Sequence, residues 1–312
     1  MSDLRITLPR RADISAMDKI LASINLEYGK RGHKRAIFDF RNCSYIVPSA
    51  GAVLIAYRDY LNERGIETVA ALPDRGRLHK FLVSLGVMQP SEGDLTDAYV
   101  RTMSQYAVKL TACRSVDDCM QVQGQIMTHV KDRVQTDDDT LASLDYMIGE
   151  IWDNAGCHGY GCYEEMTYPK PVYISAFSYR THVEVAILDR GQGIHTSLRQ
   201  NNPEYRDASA KRALTDALKI DVSGHPTRSP GFGLYAASEF VRANNGALHI
   251  WSSKRRLELK NGRVSVRRST YEQGTLVTFI IDTQQPIPFE RIVSTQETQD
   301  YLDIFIREQT GD

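Results

Sequence analysis

The chain is 312 residues long, 42% hydrophobic and 25% charged, with a formal net charge of -1. That is the composition of an ordinary globular protein with room for about two domains, and it excludes a disordered chain, a collagen-like repeat and any overall charge bias toward nucleic acid. No window approaches ~18 consecutive apolar residues, the N-terminus lacks the apolar core of a secretory signal, and five cysteines at 43, 113, 119, 157 and 162 form no disulfide framework, so a cytoplasmic protein without a membrane partner is expected.

The first third alternates strand and helix signals. Residues 35–40, RAIFDF, read as a short apolar strand. A helix opened by Pro48 and Ser49 and stopped by Gly65 follows, with Val53, Leu54, Tyr57, Tyr60 and Leu61 recurring on one face. IETVAAL is a second strand, and Leu78, Phe81, Leu82 and Leu85 mark a second helix ending at Gly86. Strand–helix–strand–helix order implies an α/β unit with parallel pairing and a right-handed crossover.

The Pro-Ser-Glu-Gly break near residues 89–96 sets a boundary, giving an N-terminal domain over 1–90 and a linker over 91–113. From 114 two helices are expected, the second opened by Asp137-Asp138-Asp139, which suit a helix N-terminus. The strands PVYISAFSY and HVEVAILD are joined by Arg180-Thr181 as a hairpin. A partly helical insertion spans 190–230, GLYAASEFVRANNG forms a helix, and ALHIWSS, RVSVRRS and TLVTFIID read as three further strands. The second domain is therefore an α+β layer pair with helices on one face of a largely antiparallel sheet, and residues 286–312 a short helix and tail.

Three features of this second unit carry chemistry. Glu150 and Asn154 stand one helical turn apart, where a carboxylate can orient or deprotonate a hydroxyl and an amide oxygen can hold Mg²⁺. Asp189 ends a strand directly before Gly191 and Gly193, so an acceptor carboxylate lies beside backbone that a flat ring can approach. Gly231 and Gly233 open a helix whose free N–H groups and dipole suit an anion. Cys157, His158 and Cys162 raise zinc as an alternative, but zinc sites usually show two well-spaced pairs, and no second pair exists here.

The order of these features (Glu-x-x-x-Asn on a helix, strand-Asp-x-Gly-x-Gly, a variable lid, Gly-x-Gly-Leu opening a helix) resembles the Bergerat-type ATP-binding fold over residues 114–285. Histidine kinases, gyrase- and MutL-type ATPases and anti-sigma-factor serine kinases share it. EIWDNAGCHGY is most similar to the anti-sigma-factor kinases. The resemblance implies ATP and Mg²⁺ as cofactors, Glu150 as catalytic base, and Asn154 as the Mg²⁺ ligand. It implies Asp189 at the adenine amine with Gly191 and Gly193 framing the nucleotide, Gly231, Gly233 and Leu234 at the phosphates, Thr275 near the adenine, and Arg228 of the lid as a phosphate contact.

The N-terminal unit resembles a STAS domain, the fold of anti-sigma-factor antagonists, through AIFDFRNCSYIVPSAGAVLIAYRDYL and the LHKFLVSLGV run. Ser49 falls at that family's phosphoacceptor position, although Pro48 replaces its aspartate and Ala50 its following hydroxyl; Ser49 is either an acceptor or the cap of its helix. Two functions follow. One is a serine/threonine-type protein kinase of the partner-switching kind, acting on Ser49 or on a partner. The other is a non-kinase ATPase whose ATP binding switches a STAS-like docking module. A protein partner is expected through the N-terminal unit, a homodimer through residues 115–134 stays open against their being core, and nucleic acid is not indicated.

Overall fold

The computed structural model describes residues 3–28, 33–72, 78, 82, 107–134, 136–161, 167–224 and 231–293. The N-terminal unit runs β1 (Leu4–Thr7), β2 (Arg11–Ala12), α1 (Met17–Tyr28), β3 (Arg35–Asp39), β4 (Tyr45–Ile46), α2 (Pro48–Asn62) and β5 (Glu67–Ala71). Its three-stranded sheet has the order β1-β3-β5 with both pairs parallel, as the alternating pattern requires. Pro48 pre-sets the first turn of α2, and Gly65 closes the turn after it with φ +72°. Residues 48–57 of α2 are all buried, on every side of the helix. Such burial requires apolar cover above as well as below.

That cover is the second unit. It runs β6 (Ala107–Ser115), α3 (Val116–Arg133), α4 (Asp138–Tyr160), β7 (Thr167–Ser178), β8 (His182–Asp189), α5 (Ile194–Asn201), a 3-10 turn at Pro203–Tyr205, α6 (Ala210–Asp216), α7 (Gly233–Ala243), β9 (Ala247–Lys260), β10 (Arg263–Asp282) and α8 (Phe289–Val293). The five strands pair antiparallel throughout, in the order β6-β7-β8-β10-β9. Ser115 and Asp118 cap α3 reciprocally, and Asp137 accepts from the Thr140 amide at the start of α4.

Period-two alternation splits this sheet between two cores. On one face Val183, Val185, Ile187, Val277 and Phe279 pack with Ile126, Leu144, Ile148, Ile151 and Phe240 from α3, α4 and α7. On the other, Tyr173, Ala186, Leu188, Trp251 and Leu276 join the N-terminal core of Leu4, Ile6, Met17, Val53 and Leu54. Helix α2 is thus enclosed between the two sheets. Polar contacts tie the seam. The Tyr173 hydroxyl donates to Asp59 Oδ2 (3.2 Å), the Tyr45 and Tyr179 hydroxyls meet at 2.7 Å, and Asp18 accepts from Trp251 Nε1 (3.2 Å) and from the Ser269 hydroxyl.

Three expectations change. Residues 107–113, read as linker, are edge strand, because Val108, Leu110 and Cys113 bury against two different layers. RVSVRRS and TLVTFIID are one 20-residue strand carrying bulges between Arg268 and Thr275, so the three expected C-terminal strands are two. Helix α3 is core on one stripe: Cys119, Val122, Ile126 and Val130 are buried. The expected 89–96 boundary and the helix at 77–86, apart from Leu78 and Leu82, lie outside the described residues.

Trp251 is fully buried at the junction of the layers. Trp251→Ala removes the largest side chain of that seam and leaves Asp18 one donor short. A loss of about 3–5 kcal/mol is expected, read as a lower denaturant midpoint against a wild-type control. An unchanged midpoint would show that the seam contributes little to folding.

Candidate functional site

The site sits where β8 ends and α4 and α7 converge on the helical face of the sheet. Asp189, the last residue of β8, is 3% exposed. It has the parity of Ile187 and so points to the helical side. Its Oδ1 accepts the Gly191 amide at 2.7 Å. Burial pushes its pKa up to about 7, partly offset by the amides of Gly191 and Thr275.

The loop after Asp189 is clipped to the end of α4. The Gln192 amide donates to the Gly159 carbonyl at 3.0 Å, and Gln192 Nε2 donates to the His158 carbonyl at 2.7 Å. A Cβ on Gly191 would lie 2.0 Å from the Gly159 oxygen, so only glycine lets the loop come this close. At the far side of the loop Ser252 Oγ donates to the Gly274 carbonyl (3.1 Å) and accepts the Ile194 amide (3.0 Å), fixing the start of α5.

Glu150 and Asn154 lie on the stripe of α4 that meets α7. A Cβ on Gly233 would fall 2.4 Å from Glu150 Oε2 and 3.1 Å from Asn154 Nδ2, which places both side chains against the first residue of α7. Phe232 at the N-cap of this 11-residue helix makes no side-chain cap hydrogen bond. The Glu150 pKa is raised, chiefly by burial, against a hydrogen bond from Tyr146 one turn earlier.

These groups surround a cavity lined by Asn154, Asp189, Gly193, Gly231, Gly233, Leu234 and Thr275 among the expected residues. Glu150 borders it through Gly233, whereas Gly191 faces a second, more open groove shared with Lys170, Arg190 and Gln273. Arg228 lies outside the described residues. Ser49 is 0% exposed on α2, which packs on the opposite face of the sheet, so it is not brought to the cavity.

No protein-family model matches the chain, and no curated protein is similar to it in sequence. What the site can do therefore follows from its geometry.

Among the described residues no group of three or more His, Cys, Asp and Glu side chains converges. Cys157 donates to Asp153 Oδ1 at 3.3 Å, and Cys162 is outside the described residues. His158, set aside with those cysteines, lines the cavity, as do Ser197 and Leu198 of α5. The signal for α5 was present: Ile194, Ser197 and Leu198 follow Gly193 at helical spacing and share one face.

Proposed function

We propose that this chain binds Mg²⁺·ATP in the α4–β8–α7 cavity by a Bergerat-type arrangement, and that it directs the γ-phosphoryl group to a hydroxyl on a partner protein. The observation that carries this reading is one cavity bordered by a buried acceptor carboxylate, Asp189, and by the N-terminus of α7, whose N-cap Phe232 makes no side-chain cap bond. The carboxylate suits the exocyclic amine of adenine, and the amides and dipole of α7 suit phosphate oxygens.

The donor set fits Mg²⁺ delivered with the nucleotide rather than a resident metal. Mg²⁺ takes one or two protein ligands and completes its octahedron with phosphate and water. Asn154 would supply an amide oxygen, and Glu150, beside it, a base whose raised pKa moves it toward useful proton transfer. Ser49 is not the acceptor in this reading, because its side chain is fully buried on α2, on the face of the sheet away from the cavity.

A second reading, an ATP-driven conformational switch without protein phosphorylation, is favoured by one contact. Arg190, next to Asp189, stacks its guanidinium 4.5 Å over the Tyr60 ring of α2. Nucleotide-dependent movement of the 189–193 loop would then reach the STAS-like unit directly.

Incubation with γ-labelled ATP and Mg²⁺, with cell extract as the source of acceptor, separates the two readings. The kinase reading expects label on a partner protein, lost by ~100-fold or more in Glu150→Ala while nucleotide binding is kept, and unaffected by Ser49→Ala. Free phosphate with no labelled protein selects the switch. Label on Ser49 would overturn the assignment of an external acceptor.

A further inference from the structure

The strands β9 and β10 outrun the sheet that holds them. Strand β8 pairs only with Thr275–Asp282, so Arg263–Arg268 and Arg255–Lys260 form a two-stranded ribbon with no third strand. Residues 254–270 of this ribbon carry seven cationic side chains, five of them arginine, and one carboxylate, Glu258. The chain as a whole is -1, so the remainder is net negative and the ribbon is a local reversal of charge.

The register makes the arrangement costly. Arg263 stands opposite Lys260, Arg267 opposite Arg256, and Arg268 opposite Arg255. Like charges directly across a ladder destabilise it. Glu258 relieves one rung, pairing with Arg256 (3.1 Å) and Arg267 (3.4 Å). Among the described residues Lys254, Arg255, Lys260, Arg263 and Arg268 have no ion pair. The field is felt nearby: burial and then Arg256, Lys260 and Arg267 push the pKa of His249 down to about 3.

We propose that the outer β9–β10 ribbon is a phosphate-backbone-binding surface for duplex nucleic acid, without base readout. Two arguments select this partner over an acidic protein segment. The first is spacing. The Lys260/Arg263 rung and the exposed Arg267 lie on one face four residues apart, about 13 Å at the strand rise, while Arg256 opposite Arg267 is buried against Glu258. That is close to the ~12 Å width of a major groove, which admits a two-stranded ribbon, so Lys260 and Arg263 at one end and Arg267 at the other reach phosphates on its two sides. The second is chemistry. Arginine predominates and binds phosphate bidentately, while the exposed residues between the cations are Asn261, Gly262, Ser265 and one apolar side chain, Val264, so the ribbon offers a protein partner no exposed aromatic anchor and a single apolar one.

Fluorescence anisotropy with a labelled 24-bp random-sequence DNA duplex tests this on the full chain. Wild type is expected to bind with a steep salt dependence, each phosphate contact adding about -0.9 to the log–log slope. Lys260→Ser/Arg263→Ser/Arg267→Ser should flatten the slope by about 2–3 and weaken binding at low salt by ~30-fold or more, with a thermal midpoint equal to or above wild type as like-charge rungs are removed. If the triple variant fails to fold, Arg263→Glu at the exposed turn decides instead, with a ~10-fold loss expected. Absent wild-type binding, equal binding by a folded variant, or displacement of the duplex by equal charge of poly-glutamate would each overturn the proposal.

Discussion

Asp189→Asn is expected to weaken Mg²⁺·ATP binding by ~100-fold or more, measured by titration calorimetry. The wild-type carboxylate is an acceptor on both oxygens when ionised, and one oxygen already takes the Gly191 amide at 2.7 Å. An asparagine must either turn its NH₂ toward that amide or toward the incoming amine. Each mismatch strands a buried donor, at about 1–3 kcal/mol, and sites built around one hydrogen-bonding group discriminate strongly against its loss. The pH profile distinguishes this from simple damage. Because burial lifts Asp189 to about 7, wild-type affinity should fall as pH drops below 7 and the carboxyl gains a proton. The variant should bind weakly and without that dependence. Equal affinity in a folded variant would remove the adenine assignment and, with it, the ATP reading.

The same raised pKa has a stability consequence of known sign. A carboxyl whose folded pKa lies above its unfolded value of about 3.9 holds its proton more tightly in the fold. Its contribution is fully present below the unfolded pKa and is lost as pH rises through about 7. A ligand amine that favours the ionised form would offset the loss, so ATP should stabilise the protein more at pH 8 than at pH 6.

Helices α3 and α4 were legible because their apolar residues recur at helical spacing, and α2 and the hairpin β7–β8 because turn residues bound their apolar runs, although α2 is buried on every side over residues 48–57 rather than on one face. Helix α4 shows why local patterns carried the site as well. Leu144, Ile148, Ile151 and Ala155 turn to the core, which fixes where Glu150 and Asn154 must point. Edges were harder. Strand β6 alternates toward two cores at once, with Leu110 in one and Val108 and Cys113 in the other, so neither a one-sided nor an all-apolar pattern marks it. The turn Asn261–Gly262, with φ of 51° and 70°, carries a strong hairpin signature that joins β9 to β10. The bulged stretch after Arg268 looks like a break in sequence but only re-aims one continuous strand. Packing between the two units had no signature, because a second buried face on a sheet reads the same whether a neighbour or a partner covers it.

That second face contains one group out of keeping with an apolar seam, and its replacement should have the second large effect. Glu184 shares the parity of Ala186 and Leu188, so it points into the seam, where it is 3% exposed. Its Oε1 has no hydrogen-bond partner among the described residues. Around it stand Tyr179, Tyr45 and Asp13, the last a like charge, with Arg11 close to the tyrosines. Burial, then Asp13, raise its pKa to about 8. Glu184 is therefore protonated in the fold at neutral pH and ionised in the unfolded chain, whose glutamate titrates near 4.3. Between those values folding takes up a proton, and stability falls by about 1.4 kcal/mol per pH unit. Glu184→Gln keeps the shape of the neutral acid and removes the titration. The two proteins should unfold at similar urea concentrations at pH 4.5, and the variant should be more stable by about 3–5 kcal/mol at pH 9. The difference between the two curves isolates this residue from every other titrating group. A gap that stays constant from pH 4.5 to 9 would mean that Glu184 is already ionised in the folded state. A gap that opens with pH would make the contact between the N-terminal unit and the five-stranded sheet weaker in alkaline solution, at the seam where the Tyr45 and Tyr179 hydroxyls also meet.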